Sequence, residues 1–272
     1  MKWVLFIFLL VICNVFAWQR VLFSHSSTSP RFYFFDVGQG DSALIHLGPV
    51  QILVDGGPPN SKALKGIERI LDIEDRYIDL VILTHPHLDH FGGLPDIMDR
   101  YTIGTFITGG TTSKNAAYAH IRTPDIVLGE GDRITYGDYT LSILGPNTAE
   151  RTNTDPNKTS LVFMLEGPDT RIFYAGDMHA DNENRIRKEY ALNADVLKVA
   201  HHGSRFSSSA TFLKELQPKI TIISVGNNAY GHPAPVALER ITDIGAKIYD
   251  TRTRGTIKIV PQDGQLQIYT EK

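Results

Sequence analysis

From Phe32 onward the chain alternates short apolar runs with turn signals. The runs predict strands at Phe32–Phe35, Ala43–Leu47, Gln51–Val54, Leu80–Leu83, Thr105–Thr108, Thr140–Leu144, Leu161–Leu165, Arg171–Tyr174, Val196–Val199, Ile220–Val225, Ile248–Tyr249, Thr256–Val260 and Leu266–Tyr269. Between them, apolar residues at helical spacing predict helices at Lys62–Leu71, Leu94–Arg100, Asn182–Tyr190, Ser209–Leu216 and Val236–Ile244, the last stopped by Gly245. Several strands are apolar at nearly every position, which calls for burial on both faces. Sheets covered by helices answer that demand. The polar stretch Thr148–Thr159 is the predicted long surface loop, and no internal repeat or second domain is visible.

The N-terminus departs from this pattern. Lys2 precedes the apolar run Trp3 to Trp18, and Val15-Phe16-Ala17 offers a small-residue cleavage site. A basic start with an apolar core has the form of a secretory signal. With Val21 to Phe23 the run reaches the length of a membrane anchor. Residues 1–23 are therefore expected to be a signal or anchor, 24–30 a polar linker, and 31–272 one folded domain placed outside the cytoplasmic membrane, secreted or tethered. The formal net charge of −3 removes the global basic excess of a duplex-wrapping protein. The single cysteine, Cys13, removes a disulfide framework and a thiolate metal site, so any metal must be held by His, Asp, Glu or Asn.

The densest chemistry is Leu80-Val81-Ile82-Leu83-Thr84-His85-Pro86-His87-Leu88-Asp89-His90-Phe91-Gly92-Gly93. A buried strand ends in three imidazoles and a carboxylate within six positions, the ligand types that zinc and similar ions accept. Alternation along extended backbone sends His85 and His87 to one side, while Asp89 and His90 open a helix and point elsewhere. One segment can thus serve two metals.

An HxHxDH run after an apolar strand resembles the signature of the metallo-β-lactamase superfamily. Asp55 before Gly56-Gly57, Asp177 in Ala175-Gly176-Asp177 and His232 in Tyr230-Gly231-His232-Pro233 follow in the superfamily's order. A narrower resemblance rests on Asp36-Val37-Gly38-Gln39-Gly40-Asp41-Ser42, on Ala194 to Ser204, and on Ser224 to Asn228. These segments are similar to the extracytoplasmic hydrolase domain of the ComEC competence-protein family, which accompanies a DNA-uptake channel. The resemblance implies an αββα sandwich with a metal site at the sheet edges, holding two divalent ions, zinc foremost and manganese as the alternative. It implies His85, His87, Asp89, His90, Asp177 and His232 as ligands, with Asp177 bridging, and DNA or another phosphodiester as substrate. The family's multi-helix channel has no counterpart here, so DNA transport by this chain alone is not expected. Between His90 and Asp177 the superfamily's further His ligand is missing, and Asn157 stands in the aligned stretch as a weak ligand, a substrate contact or a plain turn residue.

Asp89, besides ligating, is expected to orient the attacking water. His201 and His202 are expected to act in catalysis, one facing the site and the other packing, with the choice left open. Ser204 is expected to bind a phosphate oxygen, and Asp36, Gln39, Asp41 and Asp55 to support the ligands from behind. His25, His46, His120 and His179 are assigned to surface or packing. The expected activity is a metal-dependent phosphodiesterase or nuclease using a metal-activated hydroxide. Hydrolysis of another ester, lactone or amide on the same centre, or a non-catalytic DNA-binding module, are the alternatives, because fold does not fix substrate.

Overall fold

The computed structural model describes residues 2–23 and 29–272, so most of the expected linker lies outside the described residues. Helix α1 spans Lys2–Phe23. Its side chains at Trp3, Phe6, Phe8 and Phe16 are exposed, which sets it apart from the buried elements of the domain. No helix among the described residues is long and apolar enough to cross a membrane, so the expected anchor finds no support there.

The domain opens with β1 (Arg31–Phe34), β2 (Ala43–Leu47), β3 (Val50–Val54), β4 (Tyr77–Leu83), β5 (Thr102–Thr108) and β6 (Ile126–Val127). A second sheet follows, from β7 (Arg133–Tyr136), β8 (Tyr139–Gly145), β9 (Val162–Gly167), β10 (Thr170–Tyr174), β11 (Val196–Lys198), β12 (Ile220–Ile223) and β13 (Lys247–Asp250). The chain then returns to the first sheet through β14 (Ile257–Gln262) and β15 (Gln265–Thr270). The sheet orders are β15-β14-β1-β2-β3-β4-β5-β6 and β13-β12-β11-β10-β9-β8-β7.

Helices α2 (Lys62–Ile70), α3 (Leu88–Phe91) and α4 (Leu94–Arg100) connect strands of the first sheet. Helices α5 (Ala180–Glu189), α6 (Ala210–Leu216), α7 (Pro235–Asp243) and α8 (Thr251–Arg254) belong to the second. Strand alternation sorts the apolar side chains into layers. In β4, Ile82 joins Phe34, Ile45, Phe163, Tyr174 and Ile222 in the core between the sheets. Its neighbours Val81 and Leu83 face the other way, against Ala63 and Ile67 of α2 and Leu94 and Ile97 of α4. The outer face of the second sheet packs Phe173 and Leu197 against Ile186, Phe212, Leu213 and Ile241 from α5, α6 and α7. Both faces of both sheets are covered, which explains the uninterrupted apolar runs and makes the expected αββα sandwich the observed fold.

Strands β3, β4, β5 and β6 are parallel, and so are β10, β11, β12 and β13. In parallel sheets the loops that bind ligands leave the carboxyl ends of the strands. The segments carrying Asp55, His85, Asp177, His201 and Ser224 all leave their strands at carboxyl ends.

Candidate metal centre

The first-sheet half is held by one carboxylate. Asp55, at φ 60° just after β3, accepts from the Thr84 N–H (2.8 Å) and the Thr84 hydroxyl (2.7 Å). It also takes His90 Nδ1 at 2.8 Å, fixing that ring with Nε2 turned inward. His90 Nε2 then lies 3.4 Å from Asp177 Oδ1, and His85 Nε2 lies 3.6 Å from Asp177 Oδ2. His90 Nε2 and Asp177 Oδ1 are buried without a hydrogen-bond partner. The donor atoms of His85, His90 and Asp177 lie within 4.8 Å of one another. Two metal–ligand bonds of ~2.0–2.2 Å at a tetrahedral angle would set their donors ~3.4 Å apart. The residues therefore fit a divalent cation, and Asp55 backs His90 as a carboxylate commonly backs a metal-bound histidine.

A second donor group, Asp89, His90 and His202, adjoins the first. Asp89 sits in the first turn of α3 and meets His202 Nε2 at 3.1 Å. The other nitrogen of His202 contacts the Ser224 carbonyl (2.9 Å) and Asp41 Oδ1 (3.3 Å). Asp41 in turn accepts from the buried Lys198 ammonium at 2.6 Å. The ring reaches this position because His201 and His202 both adopt left-handed backbone, at φ 50° and 53°. Such conformations are uncommon for residues with a Cβ and cluster at functional sites. On the facing loops, a side chain at Gly226 would bring Cβ within 2.4 Å of the Gln39 nitrogen, so the turn after β12 and the Asp36–Asp41 turn approach backbone to backbone.

Burial and charge divide the imidazoles. Burial, then the neighbouring His90, hold His85 well below the ordinary histidine range. Burial also works against charge on His90, but the Asp177 and Asp55 carboxylates outweigh it and hold that ring well above the range. His202 is likewise opposed by burial, yet Asp177 and Asp41 raise it to about 10. Asp89 is pushed up by burial and pulled down further by His202 and His90, to about 2. An excess of buried carboxylates draws positive charge to the centre, as protons on His90 and His202 or as a cation in their place.

A cleft of about 560 Å³ opens above the centre. Its lining includes Gln39, His87, Asp89, Asp177, His201 and His232. The six expected ligands do not share one point. His87 reaches the centre through His85, at 3.1 Å, and His232 stands on the rim with its ring 5.3 Å from that of His201. His202, expected to serve catalysis or packing, instead lies among the ligand-type donors. Both rings of the pair approach Asp177 Oδ2, His201 at 3.8 Å and His202 at 3.9 Å, so the expectation that one of them packs away is corrected.

Other expectations change too. Ser204 is buried, and its hydroxyl accepts from the Phe206 N–H, serving its own turn rather than the cleft. Asp36 is tied to Lys272 (3.0 Å) and the Gly38 N–H (3.3 Å), so it closes the turn and backs no ligand. Gln39 does reach the site, lining the cleft while accepting from the Gly226 N–H. Asn157 lies in a short 3-10 turn, with its Oδ1 buried and unpartnered. That turn leads to Ser160, whose hydroxyl accepts from the Asp177 N–H at 3.1 Å. His179, assigned to surface or packing, stacks on His201 at 5.6 Å with rings 6° from parallel.

Lys198, Thr84 and Glu183 were not singled out in the sequence. Lys198 had a signal, a lone lysine in the apolar run Val196 to Ala200. Glu183 is buried in α5 and accepts from the Ser208 and Ser209 N–H groups, anchoring the segment after the histidine pair.

Comparison with known proteins agrees with this geometry. The chain is 27% identical to ComE operon protein 3 of Bacillus subtilis, over 91% of its own length and 35% of that protein. It is 28% identical to competence protein ComA of Neisseria gonorrhoeae, over 82% of this chain and 31% of that protein. Recombination protein 2 of Haemophilus influenzae is also 28% identical, with 82% and 28% covered. The chain thus spans about a third of the length of these ComEC-family relatives. Among solved structures, the metallo-beta-lactamase fold protein YhfI of Bacillus subtilis superposes with a TM-score of 0.59 at 14% identity, covering 84% of this chain and 99% of that one. CmlA, a diiron beta-hydroxylase of Streptomyces venezuelae, reaches 0.57 at 12% identity, with 86% and 55% covered. Both likenesses concern the fold alone. The family profile of the metallo-beta-lactamase superfamily matches residues 35–227, a span that takes in every donor gathered around Asp177, and the chain belongs to that superfamily of metal-dependent hydrolases.

Proposed function

We propose that this domain hydrolyses phosphodiester bonds of DNA, outside the cytoplasmic membrane, with two divalent ions held between the sheets' carboxyl ends. The observation that carries the reading is the pairing of a carboxylate-rich donor centre with an open cleft lined by His201, His202 and His232. Similarity to competence proteins supports DNA as the substrate. The location is carried only by the sequence pattern of residues 1–23, a basic start followed by an apolar run.

His85, His90 and Asp177 would hold one ion, and Asp89 and His202 would stand beside the second, since His90 has only one nitrogen free for a metal. Bound there, such ions polarise a phosphoryl oxygen and make water acidic enough to attack at neutral pH. The remaining work belongs to the chain. Asp89, ionised at any physiological pH, accepts a hydrogen bond from the attacking water and turns its lone pair toward phosphorus. Burial, then His202's charge and the other nearby rings, hold His201 below the ordinary range despite Asp177, so it is a neutral ring with one N–H to offer the leaving oxygen. Burial and His201 hold His232 down to about 4, so it too is a neutral donor. Asn228 fixes its loop, donating to the His232 carbonyl and accepting from the His232 N–H.

Purified protein should be offered bis-p-nitrophenyl phosphate, single-stranded DNA, a β-lactam and a lactone. Turnover of the phosphodiesters is expected. Turnover of the lactam or lactone with both phosphodiesters untouched would overturn the reading. A reporter fused after Pro30 that is active only in the cytoplasm would overturn the location.

A further inference from the structure

The two most exposed aromatic side chains among described residues 31–272 are Tyr230, 72% exposed, and Phe206, 65% exposed. Neither contributes to a core; Tyr230 lines the cleft, and Phe206 lies beyond its edge, joined to it by the rings of His179 and His201. They are the ends of a continuous series of rings. Tyr230 meets His232 at 5.9 Å, His232 meets His201 at 5.3 Å, His201 stacks on His179 at 5.6 Å, and His179 meets Phe206 at 6.4 Å. The three inner rings are more shielded and two of them line the cleft, while the outer two project into solvent. Arg205, exposed and next to Phe206 in the chain, brings a positive charge to the same turn. The segment that carries Arg205 is pinned from behind, since Arg240 donates to the Arg205 and Ser207 carbonyls.

An exposed aromatic face beside a cation is the arrangement that receives an unpaired base and its phosphate. A duplex cannot use it, because its bases are already stacked on each other. We propose that Tyr230 and Phe206 are base-stacking platforms on either side of the scissile phosphate, and that the cleft thereby selects single-stranded over duplex DNA. The inference rests on the phosphodiesterase reading and adds to it the form of the substrate. The negative total charge fits this arrangement, since stacking supplies affinity that phosphate attraction alone does not.

The test compares kcat/KM of the full chain on a short single-stranded oligonucleotide and on the same strand made abasic, which keeps the phosphates and removes the bases. One base–ring stack contributes roughly 5- to 150-fold in affinity. The wild-type protein should therefore prefer the intact strand by at least ~10-fold, carried in KM. Tyr230→Ala combined with Phe206→Ala should abolish that preference, and Tyr230→Trp combined with Phe206→Tyr should keep it. Both positions are surface sites, where substitution leaves folding nearly unchanged. Equal turnover of intact and abasic strands by the wild type, or a preference that survives the double alanine variant, would overturn the platforms and leave the phosphodiesterase reading standing. No cleavage of either strand would overturn both.

Discussion

The two walls of the cleft are built in different ways. On the first-sheet side, His85, His87, Asp89 and His90 come from one continuous segment, and Asp55 and Thr84 hold them through short hydrogen bonds at the adjoining strand end. On the second-sheet side, Asp177, His202 and His232 come from three separate strand ends. Their order depends on a buried Lys198–Asp41 ion pair, a backbone carbonyl and two left-handed residues. The first wall is a preassembled ligand block. The second stands across from it and lines the cleft with His201, His202 and His232. Damage to the first should therefore release metal, and damage to the second should first impair handling of substrate, with Asp177 and His202, which stand among the metal donors, as the exceptions.

The largest effect is expected from Asp89→Ala. It removes an anion from the donor group and the acceptor for the attacking water, so phosphodiester turnover should fall on the order of 10³-fold or more. Circular dichroism would confirm folding, and a folded variant with wild-type turnover would contradict the mechanism. Next come the paired histidines. His202→Ala should lower turnover by roughly 10²–10⁴-fold and metal content with it, whereas His201→Ala should lower turnover toward the lower end of that range with metal retained. Metal loss in His201→Ala and not in His202→Ala would reverse the assignment of the walls.

Asp55→Asn should cost less, about 10–100-fold in metal affinity, because the residue orients His90 without touching the ion. Competition with a chelator would measure it. The smallest effect is on the metal-free protein. His202 is raised in the fold, from 6.5 to about 10. The stability it contributes is therefore complete below pH ~6.5 and is lost as pH rises through about 10. Metal affinity should run the other way across the same window, rising with pH as ligands give up their protons. Thermal melts with and without added zinc, taken across that range, should diverge steadily with pH. Parallel curves would contradict the proton–metal exchange.

The first wall was legible because its ligands are contiguous and follow an apolar strand. The second was legible only through resemblance for Asp177 and His232, since a lone Gly-Asp or a late histidine is ordinary in any sequence. Nothing in one residue after another reveals that His201 and His202 both turn left-handed, so their shared approach to Asp177 was not foreseen. Strands β6 and β7 were missed for a plain reason. One is two residues long, and the other, Arg133–Tyr136, is largely exposed, with Ile134 its one residue packed against the core. Helix α8, Thr-Arg-Thr-Arg, has no apolar stripe and is set by the Asp250 cap, which accepts from the Thr253 N–H. The covered strands and amphipathic helices were legible because burial dictates their pattern. Gly245 also met expectation, at φ 76° just beyond α7.

The central claim is that carboxylates and imidazoles from both walls together hold divalent cations. Elemental analysis of the purified protein after metal supplementation tests it most directly. The account predicts two equivalents per chain in the wild type and a clear loss in Asp177→Ala, which removes the carboxylate that approaches rings of both donor groups. Less than ~0.3 equivalents of any divalent metal alongside undiminished hydrolysis would contradict it, since a metal hydrolase must hold its ion to act.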